Sequence, residues 1–148
     1  MGLNYQYCKQ EKSDGAAFAK EHFAKDDITV YLAYTDEQLT HEPEAAVNDL
    51  ANYIKRVRRL WGQRTGHDEK EFKYVGTTEV SPKGRFHHHL ILSAGIPPEE
   101  LPTKWKKGDT VIKPLFNDKG EPEIMNHINK PCRSYRRFTA SHNLPICL

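Results

Sequence analysis

The sequence predicts an α+β fold, with a central antiparallel sheet of about four to five strands and flanking helices, on three observations. Short runs rich in β-branched and aromatic residues recur at 28–35, 72–80, 85–93 and 109–116. One long stretch, from Glu44 to Trp61, instead repeats its apolar residues at helical spacing. Two of the strand-like runs are joined only by a tight Ser81-Pro82-Lys83-Gly84 link, which makes them an antiparallel hairpin.

Residues 1–26 read as a polar N-terminal extension with scattered aromatics. Within it, 14–25 could form a short helix carrying Phe18 and Phe23 on its inner side. ITVYLAYT, at 28–35, is the first strand, and Asp36, Glu37 and Pro43 mark the loop after it. The helix from Glu44 presents Ala45, Leu50, Tyr53, Ile54, Val57, Leu60 and Trp61 on one face, with Gly62 as its expected stop. FKYVGTTEV at 72–80 and RFHHHLILS at 85–93 form the hairpin, closed by Gly95 and the Pro97-Pro98 pair. EELPTKW gives a short helical turn, DTVIKPLF at 109–116 a further strand, and Asp118-Lys119-Gly120 a turn. EPEIMNHINK, at 121–130, reads as a helix that Pro131 breaks. The segment SYRRFTASHNLPICL is either a short strand or an extended tail. This element order is expected to pack its helices on one face of the sheet.

With 148 residues and no linker or repeat, the chain is read as a single domain, 1–148. No run approaches the roughly 18 consecutive apolar residues of a membrane span, and the polar first residues lack the apolar stretch of a secretory signal. A cytoplasmic protein with no membrane partner is the expectation, in keeping with a mean hydropathy of −0.78. Cys8, Cys132 and Cys147 are far apart and have no CxxC spacing, so they read as reduced thiols. A net charge of +2 permits nucleic-acid binding without demanding it.

The chemistry concentrates in His87-His88-His89. Residues i and i+2 of a strand share a face, so His87 and His89 project together while His88 points the other way. Paired neutral imidazoles on one rigid strand form an anchor for a divalent cation. Pro82 and Gly84 suit a three-residue hairpin loop, in which Ser81 faces Arg85, Val80 faces Phe86 and Glu79 faces His87. Glu79, His87 and His89 should therefore converge as metal ligands. A two-residue loop would send Glu79 to the opposite face.

The stretch KYVGTTEVSPKGRFHHHLILSAG resembles the HUH-motif core of rolling-circle replication initiators from Gram-positive plasmids, phages and integrated elements. The similarity takes in YLAYTDEQL and NDLANYIKRVRR upstream, and HINK and SYRRFTASHNLP downstream. It implies a small antiparallel sheet, and Mg²⁺ or Mn²⁺ held by the motif histidines and one further polar side chain. These map to His87, His89 and Glu79. The activity it implies is site-specific nicking and rejoining of single-stranded DNA at a replication origin, alone or within a hairpin, with a host helicase and polymerase as partners. In that chemistry a tyrosine hydroxyl attacks the scissile phosphodiester, leaving a 5′-phosphotyrosine link and a free 3′-OH.

The family places its nucleophile in a tyrosine-x-x-lysine pattern, and here that position reads His127-Ile128-Asn129-Lys130. Lys130 matches; the tyrosine is replaced by His127. Three readings stay open: Tyr135 supplies the hydroxyl, His127 acts as nucleophile or extra ligand, or the domain binds its origin without cutting. A transposase or relaxase variant of the same core is a more distant reading. The basic runs at 55–59 and 133–137, with Arg133, Arg136 and Arg137 in the second, are candidate phosphate contacts. Trp61, Trp105 and Phe138 are either stacking platforms for unpaired bases or core residues.

Overall fold

The β-branched and aromatic runs form strands, each a little shorter than its run, in the computed structural model, which describes residues 15–125 and 135–145. They are β1 (Ile28–Ala33), β2 (Tyr74–Val80), β3 (Phe86–Leu92) and β4 (Thr110–Pro114). The terminal segment forms a strand rather than a tail: β5 is Arg136–Ala140. Together they make one antiparallel five-stranded sheet in the order β4-β1-β3-β2-β5. The hairpin strands β2 and β3 lie at its centre, where neighbours on both sides fix their positions. Two 3-10 turns, Pro98–Glu100 and Pro102–Lys104, form where a helical turn was expected.

Helix α1 spans Gly15–His22 and helix α2 spans Pro43–Thr65. In α2, Pro43 occupies the first turn, where its missing N–H costs nothing. Ala46, Leu50, Tyr53, Ile54, Val57, Leu60 and Trp61 follow at helical spacing and are buried. They pack against Val30, Leu32, Phe86, Leu90 and Leu92 to form the larger core. A fully buried Leu or Val of this kind contributes about 1.5–3 kcal/mol.

Gly62 does not end α2, contrary to the sequence expectation. The helix runs one turn further, to Gly66, which adopts the left-handed conformation (φ 77°) and donates its N–H to the Gly62 carbonyl at 2.9 Å. Gly62 instead admits a close neighbour, since a Cβ there would meet Glu69 Cγ at 3.0 Å.

The helices also do not share one face of the sheet. Val75 and Ile91 lie on the face opposite α2, and α1 covers them with Phe18, Ala19 and Phe23. Both faces carry apolar residues at this end of the sheet, so both require a cover. The same face continues along β2 and β3 into Thr77, Glu79, His87 and His89, and there its character turns polar. Residues 123–125 are helical, and the rest of the helix expected up to Lys130 lies outside the described residues, as do all three cysteines. No described helix is long and apolar enough to cross a membrane.

Candidate metal centre

The β2–β3 loop sets the register on which the site depends. Ser81 N–H donates to the Arg85 carbonyl and Gly84 N–H to the Ser81 carbonyl, each at 2.8 Å, and Gly84 takes φ 82°. Pro82-Lys83-Gly84 is thus a three-residue loop with glycine in the left-handed position. Glu79 consequently pairs with His87, and Val80 with Phe86. Side-chain alternation then brings Glu79, His87 and His89 together. One potential ligand atom from each lies within 4.8 Å of the others. Atoms bonded to a common divalent ion at about 2.1 Å stand about 3–4 Å apart, so small side-chain rotations bring this set to bonding geometry. Two imidazole nitrogens and a carboxylate oxygen fit a divalent cation.

The carboxylate is held from two sides. Thr77 Oγ1 donates to one Glu79 oxygen at 2.8 Å, and Arg136 Nη2 pairs with the other at 3.2 Å. The Arg136 and Glu79 side chains are only 10% and 6% exposed. Arg136, expected from the sequence to contact DNA phosphate, pairs with Glu79 through its guanidinium. These two bonds orient the Glu79 carboxylate. Tyr31 stands opposite His89 on β1, with its ring 5.1 Å from the His89 ring and 5.6 Å from that of His87.

His88 faces the other way, as expected, into the α2 core, where it is fully buried. Its Nδ1 lies 2.9 Å from Thr78 Oγ1 and its Nε2 lies 3.0 Å from the Tyr34 hydroxyl. Tyr34 gives its single hydroxyl proton to Asp49 at 2.9 Å, so it must accept from His88. This assigns the Nε2–H tautomer to His88, with Thr78 donating to Nδ1. Burial, reinforced by His87 and His89, pushes His88 down to about 3, and it stays neutral.

The remaining candidates are placed differently. Tyr135 packs against the α2-side core, with its ring 6.0 Å from that of Phe86, on the opposite face from Glu79, His87 and His89. Arg137 pairs with Thr78 in register and is exposed on that same α2 side. Lys55, Arg56 and Arg59 are exposed on α2, also across the sheet from the site. Trp61 and Trp105 are core residues, each donating its indole N–H to a backbone carbonyl. Phe138 packs half-buried in the smaller core. His127, Lys130 and Arg133 lie outside the described residues.

Sequence reasoning missed Thr77, Arg136 as a partner of Glu79, and Tyr31. Period-2 alternation offers Thr77 as a neighbour of Glu79; no local pattern reveals that β5 lies beside β2 or that β1 lies beside β3. Beyond Tyr31, between β1 and β4, a pocket of about 460 Å³ opens next to His89.

The family model for replication-associated protein ORF2/G2P matches residues 27–134, from the start of β1 past all three candidate ligands. No curated protein and no solved structure matches the chain. By the extent of the family match, the chain belongs to the replication-associated protein ORF2/G2P family.

Proposed function

We propose that the protein is an HUH-type endonuclease and strand transferase that nicks and rejoins single-stranded DNA at a replication origin. The observation that carries this reading is the convergence of Glu79, His87 and His89 on one sheet face within 4.8 Å, in a chain of a replication-associated family. The residues that would hold Mn²⁺ or Mg²⁺ are these three, with Thr77 and Arg136 orienting the carboxylate. A cation bound there polarises a phosphate oxygen and offsets the charge of the transition state. A strand laid across this face of the sheet would bring its phosphate to a cation held by His87, His89 and Glu79. Lys130 would serve the leaving or attacking oxygen, and Arg133 the flanking phosphates. Host helicase and polymerase would unwind and extend from the 3′-OH.

One observation favours a second reading, an origin-binding module that does not cut: His127 occupies the position of the family's tyrosine. A single assay separates them. The protein is incubated with Mn²⁺ and a randomised pool of single-stranded DNA, and new 3′-OH ends are extended by a polymerase with labelled nucleotide. Nicking predicts labelled ends that disappear in a His87→Ala/His89→Ala variant. Retained DNA binding with no new ends, in protein shown by calorimetry to bind Mn²⁺, supports the binding module. Unchanged Mn²⁺ affinity in the double variant defeats the metal centre itself.

A further inference from the structure

The reading above leaves the attacking hydroxyl unassigned, and the described tyrosines divide sharply by face. Tyr34 is buried on the α2 side, bonded to Asp49 and His88. Tyr53 is buried with its hydroxyl on the Leu101 carbonyl at 3.2 Å. Tyr74 and Tyr135 pack against the α2-side core. Tyr31 alone among the described tyrosines stands on the face of Glu79, His87 and His89. From the geometry we infer that Tyr31 is the nucleophile of the strand-cleaving step, an inference that rests on the nicking reading.

Further observations support it. Tyr31 and His89 are directly opposed residues of neighbouring strands, whose side chains stand side by side above the sheet. With its ring beside both imidazoles, the phenol oxygen stands on the same side of the sheet as the ligand nitrogens. That hydroxyl has no hydrogen-bond partner among the described residues, whereas the hydroxyls of Tyr34 and Tyr53 are both engaged. Finally, Tyr31 lines the 460 Å³ pocket together with His89, Val111 and Lys113, so a strand has room beside it and an ammonium for its backbone. Val111 is 45% exposed, an apolar surface on which a base can rest.

The step is a transesterification. Tyr31 Oη bonds to the phosphorus as the bond from phosphorus to O3′ breaks. The hydroxyl proton passes to solvent water, and O3′ takes one up to leave as a free 3′-OH. The strand 3′ of the nick stays joined to Tyr31 through its 5′-phosphate, and reversal by another 3′-OH rejoins it. No oxidant or cofactor turnover is required.

The test uses the full chain, Mn²⁺ and a 3′-fluorescein-labelled, randomised single-stranded DNA pool, because the label then remains on the protein. Proteolysis and tandem mass spectrometry of the adduct should place the nucleotide on Tyr31. In Tyr31→Phe the adduct should fall by on the order of a thousandfold or more, with Mn²⁺ affinity from calorimetry within about twofold of the parent. An adduct on Tyr135, His127, Tyr5 or Tyr7 overturns the inference and leaves the nicking reading intact. The absence of any adduct and any nick defeats both. Independently of turnover, 3-fluorotyrosine at position 31 should lose its fluorine NMR signal to paramagnetic broadening at saturating Mn²⁺. A signal that stays sharp removes Tyr31 from the centre.

Discussion

His88 has both ring nitrogens committed, one accepting from Thr78 and one donating to Tyr34, in a pocket that excludes water. Its protonation would cost a desolvation penalty and set a charge beside His87 and His89, which is why it is held at about 3. In the unfolded chain an ordinary histidine titrates near about 6.5. Between those values the unfolded state binds the extra proton, so stability is full above the unfolded value and falls as pH is lowered through it. We expect a loss of about 2 kcal/mol between pH about 8 and about 5. Urea unfolding in chelator across that range checks it, and His88→Leu should remove this part of the slope. Thr77 acts on the other face, where its hydroxyl orients Glu79. Thr77→Val keeps the shape and deletes the donor, and should weaken Mn²⁺ binding by about 10–100-fold in calorimetry with little change in fold. These two residues show what the sequence allows at this scale. The opposed directions of His87 and His88 follow from alternation within one strand. The pairing of Arg136 with Glu79 depends on which strand lies next to β2, and no local pattern encodes that.

The hairpin was legible as an element because its turn chemistry is local. Pro82 and Gly84 define the loop length, and loop length defines which residue faces His87. The end of α2 was less legible, because Gly62 and Gly66 are both plausible stops and the choice is made by tertiary packing. Glu69 closes over Gly62, and the Thr65 hydroxyl bonds back to the Trp61 carbonyl at 2.7 Å, carrying the helix on to Gly66. A third glycine matters to the sheet. Gly108 lies against β1 between two backbone bonds, Thr35 N–H to the Lys107 carbonyl and Ala33 N–H to the Asp109 carbonyl. A Cβ at Gly108 would fall on the Ala33 carbonyl oxygen, with Thr35 N and Tyr34 Cα each 2.8 Å away. All three are backbone atoms and cannot swing aside. Gly108→Ala should therefore destabilise the protein by about 1–3 kcal/mol, read as a lowered denaturant midpoint, by forcing β4 away from β1. Gly66→Ala meets open space and should cost only the left-handed conformation, about 1–2 kcal/mol.

Across the whole molecule, the face opposite α2 is divided into an apolar end under α1 and a polar end holding Glu79, His87 and His89. The α+β class was legible from periodicity, and so was the short helix with Phe18 and Phe23 turned inward; that it covers the face opposite α2 was not, because no local pattern encodes which face a helix packs on. The division has a thermodynamic consequence. Both cores assemble from apolar residues without help from an ion, and the three candidate ligands lie on two strands already paired through the hairpin. A cation therefore adds stability by mass action on a formed site, unlike a structural zinc without which a small domain stays unfolded. The protein treated with chelator should unfold in one cooperative transition, and Mn²⁺ at about a hundredfold excess over its Kd should add about 2.7 kcal/mol. In His87→Ala/His89→Ala the increment should vanish while the cooperative transition remains. Denaturant titrations of both proteins with and without Mn²⁺ decide the matter. Loss of cooperative unfolding on chelation would mean that the ion holds the sheet together rather than resting on it.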